Sequence, residues 1–294
     1  MSDSPASDPV LVIGASGTFG RAVTARLLAE GYPIRCATRN PDRTDLPGQP
    51  VRFSWDSPLS FLPALDGVRQ VLVAPRPLDI AAATVVPALL EDCRRAGVDH
   101  VVFVSAFGAQ HQQCGPLGLV EKVLQHCGLA WTILRPNFFM ENFSHGWLRP
   151  EIQAAGCICL PAEQGRTSFV SVDDVADVAV QALADRSLRG RTCDLTGGDP
   201  MSHTAVAAAL TRASGRPVNY HPIAEDDMRD RGRRAGLPAG QLEYLLVLYG
   251  LVRAGKASHV TRTVKSLLGR EPRPFDAFAA ANADAWRVQV RAHG

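Results

Sequence analysis

Three glycines at three-residue intervals, Gly14, Gly17 and Gly20, follow the apolar run Val10-Leu-Val-Ile13 and open a helical pattern running from Arg21 to Glu30. Glycine at the first position permits a tight turn, and at the second it lets backbone approach a pyrophosphate. At the third it lets the helix pack close on the sheet. The free N–H groups and positive dipole end of that helix would receive the phosphates. A glycine loop alone is a weak signal, but here it lies between a strand and a helix near the N-terminus, the context that makes it a dinucleotide cradle. Gly14, Ser16, Gly17, Thr18, Phe19 and Gly20 are therefore the expected cofactor contacts of the loop.

The next apolar run, Pro33 to Thr38, ends at Thr38-Arg39-Asn40. A carboxylate there would grip the ribose hydroxyls of NAD; Arg39, with Arg43 four residues on, suits the 2′-phosphate of NADP. NADP(H) is the expected cofactor. Asp42 and Asp45 lie too far into the loop to replace the missing carboxylate. Ligands of open α/β sheets sit outside the carboxyl ends of the strands. Asp56, Ala74-Pro75-Arg76, Ser105-Ala106 and Pro136-Asn137-Phe138 should therefore line the same crevice. Asp56 can accept from an adenine amino group or cap a turn, and nothing in the sequence decides between them.

The reacting end is expected in Asn137-Phe-Phe-Met-Glu-Asn-Phe143, which follows the sixth strand and should face the nicotinamide. Phe138, Phe139 and Met140 offer an apolar wall for a flat hydrophobic or aromatic substrate, and Asn137 and Asn142 offer neutral polar contacts. His145 and Trp147 are lid candidates. These residues could equally pack two lobes together. Glu121 could orient the site or pair with Arg135, and His111, in the loop after the fifth strand, could reach a cleft as an acid. With Asn137 and Phe139 they make up the candidate catalytic set. Asp173 and Asp174 read as a helix cap and a dipole-compensating charge.

Positioning these residues requires strands alternating with helices. Apolar runs at Val10–Ile13, Pro33–Thr38, Val51–Phe53, Val71–Ala74, His100–Ser105 and Trp131–Leu134 alternate with helical patterns such as Thr84–Ala96 and one that continues through Glu121–Cys127. That alternation means βαβ units: an α/β fold, a Rossmann doubly wound parallel sheet. Phe138 to Arg166 reads as loop-rich, Asp173–Ala184 as a helix, and Thr192–Leu195 as a strand that could rejoin the sheet edge. Ser202–Ser214 and Leu237–Arg253 look helical. The expected division is 1–142 with 167–200 as the NAD(P)-binding domain, and 143–166 with 201–294 as a smaller, mainly helical substrate lobe. The cleft between the two is the default ligand site.

Composition narrows the class further. The 294 residues carry 31 Lys+Arg against 29 Asp+Glu, a net charge of only +2, which speaks against a nucleic-acid partner. The run Glu225-Asp-Asp-Met-Arg-Asp-Arg-Gly-Arg-Arg234 is a solvated helix in this light. No apolar run reaches the roughly 20 residues of a spanning helix, and the N-terminus lacks the basic start of a signal peptide. A cytoplasmic protein with no membrane partner is expected, monomeric or homodimeric. Leu242–Val252 could supply a dimer face or roof a pocket. Seven cysteines are dispersed, and the Cys157-x-Cys159 spacing is not that of a zinc site, so no metal is expected.

The glycine loop, Arg39 and the segment Trp131-Thr-Ile-Leu-Arg-Pro-Asn-Phe-Phe-Met-Glu-Asn-Phe143 together resemble the NmrA-like family of atypical short-chain dehydrogenases. The likeness is strongest to the clavine dehydrogenases of ergot-alkaloid biosynthesis. Phe53-Ser-Trp-Asp56, Gly165-Arg-Thr-Ser-Phe-Val-Ser-Val-Asp-Asp-Val175 and Asp194-Leu-Thr-Gly-Gly198 extend it over most of the chain. The resemblance implies NAD(P) binding and, in enzymatic members, hydride transfer to quinones, double bonds or imines; other members are redox-sensing regulators. Ordinary short-chain dehydrogenases carry Tyr-x-x-x-Lys on the helix after the fifth strand, the tyrosine donating a proton to the carbonyl oxygen. Here that stretch reads Gly115-Pro-Leu-Gly-Leu-Val-Glu121-Lys122, and Tyr32, Tyr220, Tyr244 and Tyr249 all lie elsewhere. Reductases of the isoflavone type place a lysine four residues before the position of Glu121, where Leu117 stands, and Lys122 faces differently on the helix. An iminium carbon needs only a hydride, which suits such a site. An NADP(H)-dependent oxidoreductase acting on an imine, enone or quinone is thus expected, of secondary-metabolism type. A non-catalytic NADP-binding sensor and a non-redox isomerase on the same fold remain as alternatives.

Overall fold

Short β-branched runs bounded by glycine and proline form strands, and the intervening amphipathic segments form helices. The computed structural model describes residues 8–112 and 115–287. In chain order the elements begin with β1 (Val10–Ile13), α1 (Thr18–Ala29), β2 (Ile34–Thr38), β3 (Gln49–Arg52) and α2 (Phe61–Ala64). They continue with β4 (Gln70–Val73), α3 (Ala82–Ala96), β5 (His100–Val104), α4 (Pro116–His126) and β6 (Ala130–Pro136). Then come α5 (Arg149–Ala155), β7 (Cys157–Leu160), β8 (Arg166–Thr167), α6 (Val172–Ala184) and β9 (Arg191–Leu195). The last are β10 (Met201–Ser202), α7 (His203–Ser214), β11 (Asn219–Pro222), α8 (Glu225–Arg234), α9 (Ala239–Arg253), α10 (Thr263–Leu268) and α11 (Phe275–Ala281).

Two compact units result. The first comprises the described residues up to Pro136 together with Val172–Leu195; the second comprises Asn137–Ser171 together with the described residues from Thr196 onward. The first unit is a seven-stranded, wholly parallel sheet in the order β3-β2-β1-β4-β5-β6-β9. It is the Rossmann-type doubly wound fold, and the strand order reverses between β1 and β4, where such sheets bind their ligand. Central strands are buried on both faces, as β5 shows with five successive buried residues. On one face Leu11, Ile13, Val71, Val73 and Phe103 pack with Phe61, Leu89, Leu90 and Leu124 of α2, α3 and α4. The other face is covered by α1 and α6, which Arg26 clamps through Asp173 (2.7 Å) and Asp177 (2.5 Å).

The second unit is mainly helical with two small sheets, β7–β11 parallel and β8–β10 antiparallel. Its centre is aromatic: Phe143, Phe169 and Phe275 meet at 5.3 to 6.0 Å, with His203 5.7 Å from Phe169 and 5.4 Å from Tyr220. The stretch expected to be loop-rich, Phe138 to Arg166, holds α5 and β7. Both are short, and Gly156 (φ 62°) turns one directly into the other, so neither offers enough length for its period to show in the sequence.

Candidate functional site

At the switch point β1 runs into Gly14, whose φ of 92° is closed to most side chains. The Gly17 amide donates to Gly14 O at 3.0 Å to close the turn, and α1 begins at the next residue. Gly20 is glycine for packing: a Cβ there would lie 2.1 Å from Gly14 O and 2.7 Å from Ala15 Cα. Gly17 differs from both. Its backbone is ordinary (φ −77°, ψ 166°), and a Cβ would meet nothing closer than Gly14 O at 3.4 Å. The fold thus accounts for Gly14 and Gly20 but not for Gly17, whose bare backbone leaves room for an incoming group. As the N-cap it supplies no side-chain acceptor to α1, and the first turn holds no acidic residue. A cradle without its own anion, at a helix N-terminus, fits a pyrophosphate.

The β2 end is fixed by short-range bonds: Asn40 N donates to Thr38 Oγ1 at 3.2 Å, and Asp42 N donates to Asn40 Oδ1 at 3.1 Å. Arg39 stands exposed beside this turn. Arg43 is committed to Asp45, donating at 2.7 and 2.5 Å, and Arg21 of α1 reaches the same carboxylate at 2.6 Å. Hydrogen bonds from Arg43 and then Arg21 hold the Asp45 carboxyl far below the usual carboxylate range. The expectation for Arg43 as a phosphate contact is therefore amended: its guanidinium pairs with Asp45, whereas Arg39 stands exposed. Arg21, which the sequence reading passed over, is the residue that ties the glycine loop to the β2 loop, donating also to Ser16 O at 3.1 Å.

Ala74 continues β4 by donating to Ile13 O, and its own carbonyl lies against the Gly14 turn. Pro75 follows it, and Arg76 pairs with Asp56 at 2.9 Å on the exposed surface. That pair gives Asp56 a partner that sequence reasoning did not foresee. Ser105 donates its amide to Leu134 O and its hydroxyl to Glu121, so it closes the β5 end onto α4. Ala106 leads into a turn in which Phe107 N reaches Pro136 O.

Glu121 and Arg135 form a buried, bidentate pair, with Nε at 3.0 Å and Nη2 at 2.6 Å. Asp194 Oδ1 lies 3.5 Å from the same guanidinium. Burial alone would lower the Arg135 pKa, but the bonds to Glu121 outweigh it and the cation is favoured. A carboxylate locked this way by a guanidinium and a hydroxyl is part of the frame. Lys122 is exposed, whereas Leu117 packs against the sheet core, so the family's lysine position is filled by an apolar contact. His111 is exposed, its Nε2 3.3 Å from the Gln110 amide nitrogen.

In the second unit, Asn137 is buried and both halves of its amide are used. Nδ2 donates to Ala257 O at 2.8 Å, and Oδ1 accepts from Phe138 N at 2.9 Å. This amide is a backbone clamp, not a free polar contact. Phe138 and Met140 are clipped to Val170 by backbone bonds of 3.0 Å each. The Phe138 ring lies 6.0 Å from Tyr249, and Met140 is buried. Phe139 and Asn142 stay half-buried. His145 is exposed with Nδ1 2.7 Å from Ser144 Oγ, and Trp147 is 45% exposed. Of the expected substrate contacts, Phe138, Phe139, Asn142, His145 and Trp147 keep accessible surface, and Met140 does not.

Comparison with known proteins agrees with this cradle. The family described as NAD(P)H-binding matches residues 14–186. The chain is 34% identical to a Bacillus subtilis protein named uncharacterized oxidoreductase YesF, over 95% of this chain and 96% of that one. It is 31% identical to the NAD(P)H azoreductase of Xenophilus azovorans (94% and 99% covered) and 29% to the agroclavine dehydrogenase of Claviceps fusiformis (95% and 99%). Among solved structures, the NADPH complex of the Escherichia coli NADPH-dependent quinone oxidoreductase shares the fold, with a TM-score of 0.80, 22% identity, and 92% and 99% of the two chains covered. The chain belongs to the NAD(P)H-binding family.

Proposed function

We propose that the protein is an NADP(H)-dependent reductase that delivers a hydride to an imine or iminium, enone or quinone of a flat, hydrophobic small molecule. One observation carries the cofactor assignment: Gly17 is glycine without a backbone or packing reason, at the N-terminus of α1 and at the sheet's switch point. Gly14, Gly17 and the first turn of α1 would hold the pyrophosphate, and Arg39 the 2′-phosphate. The cofactor supplies the hydride.

What the chain does not supply favours the acceptor class. Reducing a ketone creates an alkoxide that a positioned acid must protonate. No tyrosine lies anywhere between Tyr32 and Tyr220, Leu117 packs against the sheet core, and Tyr249, the ring beside Phe138, is buried. A cationic iminium carbon is reduced without forming an oxyanion, and a quinone or an enone reduced at its β-carbon places the charge on a delocalised oxygen that water can protonate. The azoreductase and quinone oxidoreductase relatives are named for conjugated acceptors, which supports the same class. Phe138, Phe139 and Trp147 are the apolar side chains we assign to substrate, with Asn142 and His145 as polar edges.

The test is a panel of quinones, enones, cyclic imines and azo dyes followed by NADPH absorbance. Turnover of at least one conjugated class and none of simple ketones is expected. Binding of NADPH with no turnover of any acceptor would favour a sensor instead.

A further inference from the structure

Away from the nucleotide cradle, the second unit gathers a second set of reactive side chains. Among the described residues, Glu151, Cys157 and Cys159 alone bring three potential ligand atoms within 4.8 Å of one another. The geometry follows from the turn between α5 and β7. Gly156 sits at φ 62° against Pro217 O and sends the chain straight from helix to strand, which lays Glu151 over the strand that follows it. On β7, Ile158 and Leu160 are fully buried, and Cys157 and Cys159 share the opposite face by strand alternation. Their sulfurs are 2.6 Å apart, and neither is in a disulfide.

The neighbourhood completes the set. β11 pairs with β7 in the register Cys157↔Asn219 and Cys159↔His221, which puts the exposed His221 across from the second thiol with its ring nitrogens outside the 4.8 Å group. Arg231 of α8 holds Glu151 Oε1 at 2.6 Å, and the same carboxylate hydrogen-bonds the Cys159 thiol. Two thiolates and a carboxylate carry three negative charges; a divalent cation and the Arg231 guanidinium carry three positive ones. Sulfur, imidazole and carboxylate donors select a borderline-soft ion and disfavour magnesium or calcium.

We propose that Glu151, Cys157 and Cys159 form a site for a thiophilic divalent cation of the zinc class, with His221 turning in from β11 as the fourth ligand. The Cys-x-Cys spacing alone gave no reason to expect a metal, because the third donor comes from the preceding helix and the fourth from a strand about 60 residues further on. Two thiolates on tetrahedral zinc at about 2.3 Å each lie about 3.7 Å apart. From 2.6 Å the pair must open by about 1.1 Å to reach that separation. Binding releases the two thiol protons to water, and no redox step is involved.

The test uses the full-length protein, reduced and freed of metal, titrated with Co²⁺. A thiolate-to-cobalt charge-transfer band at one equivalent, abolished by stoichiometric Zn²⁺, is expected. Cys157→Ser/Cys159→Ser should lose the band. Glu151→Gln, which leaves both thiols and the β7 backbone in place, should keep a band but weaken Co²⁺ binding at least tenfold. Absence of a band in the wild type, its persistence in the double variant, or unchanged Co²⁺ affinity in Glu151→Gln would each overturn the assignment.

Discussion

Replacing Gly17 with alanine separates a glycine kept for a ligand from one kept for the fold. The added methyl meets Gly14 O at 3.4 Å, an ordinary contact, on a backbone that alanine adopts freely. Losing glycine at an N-cap costs roughly 0.5–1 kcal/mol, and the stiffer unfolded chain returns about 0.4–1 kcal/mol. Folding stability should therefore change by less than about 1 kcal/mol. The methyl nonetheless stands where backbone must approach the pyrophosphate. Loss of one charge-assisted hydrogen bond there costs about 1.5–3 kcal/mol, which is roughly tenfold to a hundredfold in Kd. Gly20→Ala is the contrast: its Cβ would sit 2.1 Å from Gly14 O, so helix and turn must part, at a cost of about 1–3 kcal/mol in stability. Calorimetric titration with NADPH beside thermal unfolding reads both quantities. Wild-type NADPH affinity in Gly17→Ala would refute the reasoning, because the residue would then need no explanation from a ligand.

Three further outcomes follow from the frame. Glu121→Gln leaves the Arg135 guanidinium buried against a neutral amide with only Asp194 at 3.5 Å to balance it, and should cost about 3 kcal/mol or more; a change below about 1 kcal/mol in urea unfolding would show that the pair is not a buried lock. Burial pushes His203 down to about 4 from 6.5, and burial followed by the charge of Arg189 does the same to His100. The unfolded state then binds more protons than the folded one between pH 6.5 and about 4, so stability is intact above that window and falls as pH drops through it. At about 1.4 kcal/mol per pKa unit, each histidine contributes roughly 3 kcal/mol of acid loss. His203→Phe, set among Phe143, Phe169, Tyr220 and Tyr249, should flatten the slope, and an unchanged slope would place the acid sensitivity elsewhere. Asn137→Ala breaks the clamp to Ala257 O and should lower Tm by several degrees, since a buried carbonyl loses its donor; loss of turnover at unchanged Tm would instead assign the amide to catalysis.

The parallel sheet was legible because its strands are buried on both faces and read as unbroken apolar runs, His100 to Val104 most clearly. The glycine loop was legible because its spacing and its place between strand and helix state their own geometry. Side-chain commitments were not. Arg43 and Arg39 look alike in sequence, and only the position of Asp45 and Arg21 shows that one is engaged. Asn137 reads as a polar contact for a substrate, but its partner Ala257 lies 120 positions away. Glu151, Cys157 and Cys159 lie close in sequence, but only the helix-to-strand turn at Gly156 brings their ligand atoms within 4.8 Å of one another, and the register of β11 with β7 sets His221 opposite Cys159. Helix α5 and strand β7 escaped notice because seven and four residues are too few to display a period.

The central claim is that the glycine loop and Arg39 select a 2′-phosphorylated dinucleotide. Calorimetric titration of NADPH and NADH into the wild type and Arg39→Ala tests it most directly. A charge-assisted contact of about 1.5–3 kcal/mol places NADPH ahead of NADH by roughly tenfold to a hundredfold, and Arg39→Ala should close that gap while leaving NADH affinity in place. Equal affinities in the wild type, or a gap that survives the substitution, would contradict the account.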